Sequence, residues 1–526
     1  DKRLASGARG LSLDALRAVH TFFEAHGALG KTMADVCKEE GFGASVCALT
    51  ASTGLSLAES VVRIATAAGG HAAEGVPALV GDATTFFSYS WTGTTLGDML
   101  AAIERTLAPL EAADGRTRYV WVDMFAASQN LLAGRYLPAT QRERAELKRR
   151  DPAAYRARKE DTDTIFEHAI EAVGGGGGGS SAGEVVLYLS PLTGEWRAPE
   201  QPFLLPDRGS PPVGWMRKGP GAITRAWCCF ELVKTLAKGC TLHVALSPAD
   251  VDGFETLLTR RFDEIAGIVA AIDVCDAQIS KEEDREYILG EVGKLEGGLG
   301  SVTASVCESL REWLAAEGKA ALGRMGAEER GTSVLLNKVA SLLQAQGKLE
   351  EAAPLFREAL EAMRATLGDR HPSTLTSINN MALLLQDQGK LEEAAPLFRE
   401  ALEAYRATLG DRHPHTLASI NNMALLLQDQ GKLEEAAPLF RETLEARRAT
   451  LGDRHPSTLI SLNNMARLLL DQGELDSAEA LLRESADASL ATLAAGHRIR
   501  LRAHGFLVDV LRAQGRNAQA REVLDT

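Results

Sequence analysis

Aromatic residues are scarce, at 5% of 526 residues, and cysteine appears only seven times. The cysteines, at 37, 47, 228, 229, 240, 275 and 307, form no Cys-x-x-Cys pair and sit near no histidines at zinc-ligand spacing. A disulfide framework and a structural metal are therefore both unsupported, and a reducing, cytoplasmic compartment fits best. No uninterrupted apolar run approaches the roughly 18 residues a spanning helix needs, so no membrane segment is expected. Cationic excess is also absent. Lys and Arg number 57 against 71 Asp and Glu, a formal charge of −14, which repels polyphosphate and argues against nucleic acid and anionic membranes as partners. The sequence opens on Asp1 rather than Met, as expected of a fragment or a processed chain.

What the chain does have is 45% hydrophobic residues over a length that suits about three domains. It also has an internal repeat. The block Asn379 to Pro414 recurs almost unchanged from Asn421 and recognisably from Asn463, and an earlier copy starts at Asn337, so the period is 42 residues. Gly347, Gly389, Gly431 and Gly473 keep step, as do His371, His413, His455 and His497. Each unit reads as two helices. Thr374 to Gln388 carries Leu375, Ile378, Met381, Ala382 and Leu385 at helical spacing and stops at Gly389, while Leu391 to Leu409 carries Ala394, Phe398 and Leu402 and stops at Gly410. Neither helix has apolar surface enough to stand alone, so the units must stack into an all-α solenoid.

This unit resembles the tetratricopeptide (TPR) repeat of the kinesin light chain type, over residues 332–526. The resemblance implies a superhelix whose first helices line a concave groove. Asn379, Asn380 and Gln386, with Asn421, Asn422, Gln428, Asn463 and Asn464, are then the candidate peptide-binding residues, because a carboxamide offers both a donor and an acceptor to any main chain. The competing reading is that one Asn of each pair bonds within the array. The His-Pro histidines lie one repeat apart, too far to share a metal, and read as loop punctuation.

Upstream, strands alternate with helices. Thr85 to Trp91, Arg118 to Phe125, Glu184 to Ser190 and Thr241 to Leu246 are strand-like; Leu96 to Leu107, Thr140 to Val173, Thr224 to Lys238 and Gly253 to Ile272 are helical. Near-continuous apolar strands predict a parallel sheet covered on both faces, an α/β domain over 84–275. Residues 1–83 read as a helical N-terminal region and 276–331 as a helical connector. The glycines from 174 to 179 read as a flexible insertion, because no Lys follows them at phosphate-loop spacing.

The Phe86–Ser90 strand, the Val185–Ser190 strand and Ala226-Trp227-Cys228-Cys229-Phe230-Glu231-Leu232 together resemble a Toll/interleukin-receptor (TIR) domain, of flavodoxin-like fold. In TIR domains that cleave NAD the glutamate of that last helix is catalytic. The resemblance thus implies Glu231 as the catalytic carboxylate, with Ser88, Ser90, Trp91 and Arg225 lining the pocket for NAD as substrate. A carboxylate there would stabilise the positive charge that builds on ribose as an N-glycosidic bond breaks. The plainer reading has Trp227, Cys228 and Phe230 as packing residues and Glu231 as the partner of a structural ion pair. Asp123 reads as a cap on its loop. No resident cofactor is expected.

These observations converge on a protein-interaction scaffold: repeats that hold a peptide or protein partner, coupled to a TIR-like signalling domain able to self-associate. Two other functions compete. One is an NAD glycohydrolase switched on by self-association. The other is a kinesin-light-chain-like cargo adaptor, which needs a heptad coiled coil that the sequence lacks.

Overall fold

The computed structural model describes residues 9–25, 27–31, 80–88, 95–122, 141–155, 170, 173, 183–189, 195–197, 216–218, 226–270, 272, 288, 290–292, 294, 298–492 and 498–524. It divides into two compact units, residues 1–317 and 318–526.

In the first unit, strands β1 (Arg9–Leu11), β2 (Val80–Asp82), β3 (Thr85–Ser88), β4 (Val120–Trp121), β5 (Glu184–Tyr188) and β8 (Thr241–Ala245) form one sheet in the order β2-β1-β4-β3-β5-β8. The four strands β4, β3, β5 and β8 run parallel, with Phe86 opposite Val185 and Val185 opposite Leu242. Every residue of β3 and of β5 is buried, as strands covered on both faces require. β1 and β2 extend the sheet antiparallel, so it recruits two short strands from residues 1–83, the region read as helical. A two-stranded ribbon, β6 (Glu195–Arg197) and β7 (Met216–Lys218), stands apart from the sheet.

Period-2 alternation sorts the side chains of β3. Phe87 packs with Val186 and Tyr188 against α1 (Leu13–Ala25) and α2 (Leu96–Asp114), whose Leu16, Val19, Phe23, Met99, Ile103 and Leu107 form one apolar cluster. Thr95 caps α2 by accepting from Asp98 N at 3.1 Å, and Gly115 at φ +68° ends it. On the other face Phe86 stacks on Trp121 at 4.9 Å, and the helix Ala226–Ala237 packs on β3 and β5. Counting only the parallel strands, their spatial order is second, first, third, fourth. Connections therefore diverge on the two sides of β3, and the carboxyl end of β3 lies at the switch point where doubly wound sheets take ligands.

The second unit is the solenoid. Helix pairs Val334–Ala345 with Leu349–Leu367, Pro372–Asp387 with Leu391–Leu409, Pro414–Asp429 with Leu433–Leu451, Pro456–Asp471 with Leu475–Thr492, and Arg498–Ala513 with Asn517–Leu524 follow one another. At each turn inside a pair the glycine is left-handed, φ +74° at Gly389, so that Lys390 N can reach back to Leu385 O at 2.8 Å. Each apolar cluster borrows from the next unit. Ala382, Ala394 and Phe398 close over Leu426, and Ala424, Ala436 and Phe440 close over Leu468. That sharing is why the units stack rather than stand singly. His371, His413 and His455 punctuate the loops by capping: each Nδ1 accepts from the backbone N–H two residues on, at 3.1 to 3.2 Å. His497 lies outside the described residues.

Candidate functional sites

First helices of successive repeats approach one another more closely than second helices do, so the first helices line the inner side of the array. The carboxamides on it divide into two kinds. Asn379 Nδ2 donates to Ser419 Oγ at 2.9 Å, Asn463 Nδ2 donates to Ile499 O at 3.2 Å, and Asn464 Nδ2 donates to Asn421 Oδ1 at 2.9 Å. These groups tie one repeat to the next, and Asn421, Asn463 and Asn464 are buried. Gln386 and Gln428 donate to Asp429 and Asp471 of the following repeats. Asn380 and Asn422 differ. Both are half-buried, and neither side chain makes a hydrogen bond within the described residues. They present free amides one repeat apart on the inner face, next to half-buried Leu383 and Leu425.

The other site is in the first unit. Ser88, the last residue of β3, donates from Oγ to Glu231 Oε2 at 2.8 Å, and both are buried. The sheet fixes Ser88 through its register with Leu187, and the helix Ala226–Ala237 brings Glu231 over the same face. Ser90, Trp91 and Arg225, also expected here, lie outside the described residues. Beside Glu231 on its helix the Cys229 thiol is pushed up to about 12, first by burial and then by Cys307 and Glu231. A cavity of about 770 Å³ runs along β8, walled by the stacked rings of Phe254 and Trp313, and neither Ser88 nor Glu231 lines it.

One buried charge cluster has no precursor in the sequence analysis. Arg118 binds Glu184 through Nε at 2.7 Å and Nη2 at 2.8 Å, and Asp114 through Nη2 at 2.9 Å, while Thr85 Oγ1 donates to Glu184 at 3.3 Å. Thr85 and Glu184 begin their strands, so this clamp closes the sheet at the end opposite Ser88. Burial opposes the guanidinium charge, yet Glu184 and Asp114 together raise its proton affinity above the usual arginine range. Charged residues flanking apolar strands were the available signal.

Comparison with known proteins bears on the repeat array. Residues 331–407, 374–445 and 415–491 match one tetratricopeptide repeat family model, and residues 501–526 match a second. The C-terminal region is thus an array of tetratricopeptide repeats, a scaffold for protein interaction. Among solved structures, a Podosopora anserina chain described as a kinesin light chain with nearly identical TPR-like repeats shares 28% identity, at TM-score 0.33 over 38% of this chain and 94% of that one. BtubC (BKLC) from P. vanneervenii shares 21%, at TM-score 0.33 over 42% and 86%. YrrB, a TPR protein with an unusual peptide-binding site, shares 16%, at TM-score 0.24 over 38% and 86%. No curated protein matches. Among the described residues no helix is long and apolar enough to cross a membrane, and no cluster of metal-ligating side chains occurs.

Proposed function

We propose that this protein is an interaction scaffold whose repeat array holds an extended peptide along its first helices. Asn380 and Asn422 are the groups that meet the peptide main chain. The observation that carries this reading is the division among the carboxamides: the others are spent on joining repeats, while these two keep their hydrogen-bonding capacity on the inner face. Panning the full chain against a displayed peptide library tests it. Bound peptides should lose about tenfold in affinity with Asn380→Ala and Asn422→Ala combined, near 0.5–1.5 kcal/mol per lost bond, with no change in melting temperature. Unaltered affinity sinks the reading.

A second reading concerns the first unit, taken as a TIR-like domain that clusters when the array is occupied and hydrolyses NAD. Two observations favour it: the second-first-third-fourth strand order, and a carboxylate held at the switch point by a strand-end hydroxyl. Glu231 is then the catalytic carboxylate. Purified protein at high concentration should consume NAD, and Glu231→Gln should abolish this while the fold is kept; equal turnover by the variant removes the assignment.

A further inference from the structure

The second and third repeats, Pro372 to His413 and Pro414 to His455, are identical at all but four positions: Ser373/His415, Thr376/Ala418, Ala401/Thr443 and Tyr405/Arg447. In the first repeat the second helix and its loop differ from the second repeat only in having Met363 where Tyr405 stands. Chance drift would scatter four changes along a 42-residue unit. Here they meet in space. The Tyr405 hydroxyl lies 3.2 Å from Oγ1 of Thr376, an exposed residue of the first helix, and the Tyr405 ring stacks on His415 of the following repeat at 5.8 Å. Ala401 and Thr443 sit one turn before Tyr405 and Arg447 on the same helices. The tip of Tyr405 therefore lies between the first helices of its own and the following repeat, and Arg447, at the same position one repeat on, likewise reaches the first helix that follows it.

We propose that the array reads its ligand at this repeating position, and that Arg447 is where a carboxylate of the bound peptide is held. The inference rests on the peptide-groove reading above. Arg447 is about nine-tenths buried, and its Nη1 donates to Ser457 O at 3.0 Å and to Ser461 Oγ at 2.9 Å, both neutral acceptors. No carboxylate among the described residues pairs with it. The other buried arginine among the described residues, Arg118, is matched by Glu184 and Asp114, and the partly exposed Arg364, Arg406 and Arg448 on the second helices are matched by Glu400, Glu442 and Glu484. Its Nε and Nη2 make no protein hydrogen bond and are not sealed from solvent, which leaves three N–H groups in the fork geometry that suits a carboxylate. A buried cation without a counter-charge is costly, and burial alone disfavours its charged form here. A ligand that supplies the counter-charge removes that cost.

Arg447 also rearranges its surroundings. Asn337 donates to Ser377 and Asn379 donates to Ser419, but Ser461, the next serine in that series, is taken by Arg447. Asn421 is released and accepts from Asn464 instead. The seam between the third and fourth repeats thus gathers one guanidinium and two amides, where the preceding seam has Tyr405 and His415.

The test uses the full chain and a surface array of random dodecapeptides made in matched sets: Glu against Gln at the same positions, and free against amidated carboxyl termini. The wild type should retain the members bearing a carboxylate about tenfold or more over their neutral counterparts, as a charge-assisted buried bond implies. The Glu/Gln and acid/amide arms separate a side-chain carboxylate from a terminal one. Arg447→Met and Arg447→Tyr install residues that the first and second repeats already carry at this position. Either variant, melting as the wild type does, should lose the preference and still bind neutral peptides. A preference absent from the wild type, or intact in the variants, overturns the proposal, as does the failure of both variants to fold, which would make Arg447 a packing residue. If no peptide of any kind is retained, it is the groove reading itself that fails.

Discussion

Ser88 and Glu231, 143 residues apart in sequence, are joined by a 2.8 Å hydrogen bond from the hydroxyl to the carboxylate. The bond fixes the helix Ala226–Ala237 to the carboxyl end of the first parallel strand. Ser88→Ala leaves a buried carboxylate short of a donor, and it should destabilise the first unit by about 1–3 kcal/mol. Glu231→Gln keeps the shape and a hydrogen-bonding partner and should cost less. Urea unfolding followed by tryptophan fluorescence ranks the two; no loss of stability in Ser88→Ala would mean that the bond contributes nothing.

The Arg118 clamp is largely buried on its cationic side, with 5% of the side chain exposed against 11% for Glu184. Arg118→Met strands the Glu184 carboxylate inside the sheet, so the expected loss is about 3–5 kcal/mol. Replacing Glu184 by Leu in the same chain should restore part of it, because no uncompensated charge then remains. A double-mutant cycle measures the restoration.

Cys229 gives a pH dependence. Its thiol is raised from 9.0 to about 12 in the folded protein, so the neutral form is favoured there, and only the unfolded chain ionises as pH climbs past 9.0. The contribution is therefore present in full below that point and is lost between 9.0 and about 12, at a slope up to ~1.4 kcal/mol per pH unit. Unfolding midpoints in mildly alkaline buffer should fall more steeply for the wild type than for Cys229→Ala. Iodoacetamide at about pH 8 should leave Cys229 unlabelled until denaturant is added.

Gly389 holds φ at +74° so that two backbone N–H groups can close the end of the first helix. Gly389→Ala places a Cβ in left-handed backbone and should cost about 1–2 kcal/mol. Asn379→Ala should also lower the melting temperature by cutting the link to Ser419, whereas Asn380→Ala should not. Calorimetry on the three variants separates structural from ligand-facing positions.

The array was legible because its helices repeat their own pattern. The first helix of the second repeat, read as Thr374 to Gln388, is Pro372–Asp387, and its partner runs over Leu391–Leu409 as read. The division among the carboxamides was not legible. Asn379 and Asn380 are neighbours of the same type, and what separates them is a serine 40 residues away that only stacking brings near. β1 and β2 were hidden for a similar reason. Three residues show no alternation, and Arg9–Leu11 becomes a strand only because Val80–Asp82 and Val120 offer edges to pair with. The strand read over Arg118 to Phe125 is described at Val120–Trp121, its first residue being diverted into the Glu184 clamp.

The links between repeats recur at fixed offsets: Arg364 to Glu400, Arg406 to Glu442 and Arg448 to Glu484 along the second helices, and Gln344 to Asp387, Gln386 to Asp429 and Gln428 to Asp471 along the first. Excising one whole unit from the middle would bring the flanking halves together with the same bonding groups in register. A coil joined this way tolerates a change of length in whole units, because a cut made at the period meets the same Arg–Glu and Gln–Asp partners on its other side.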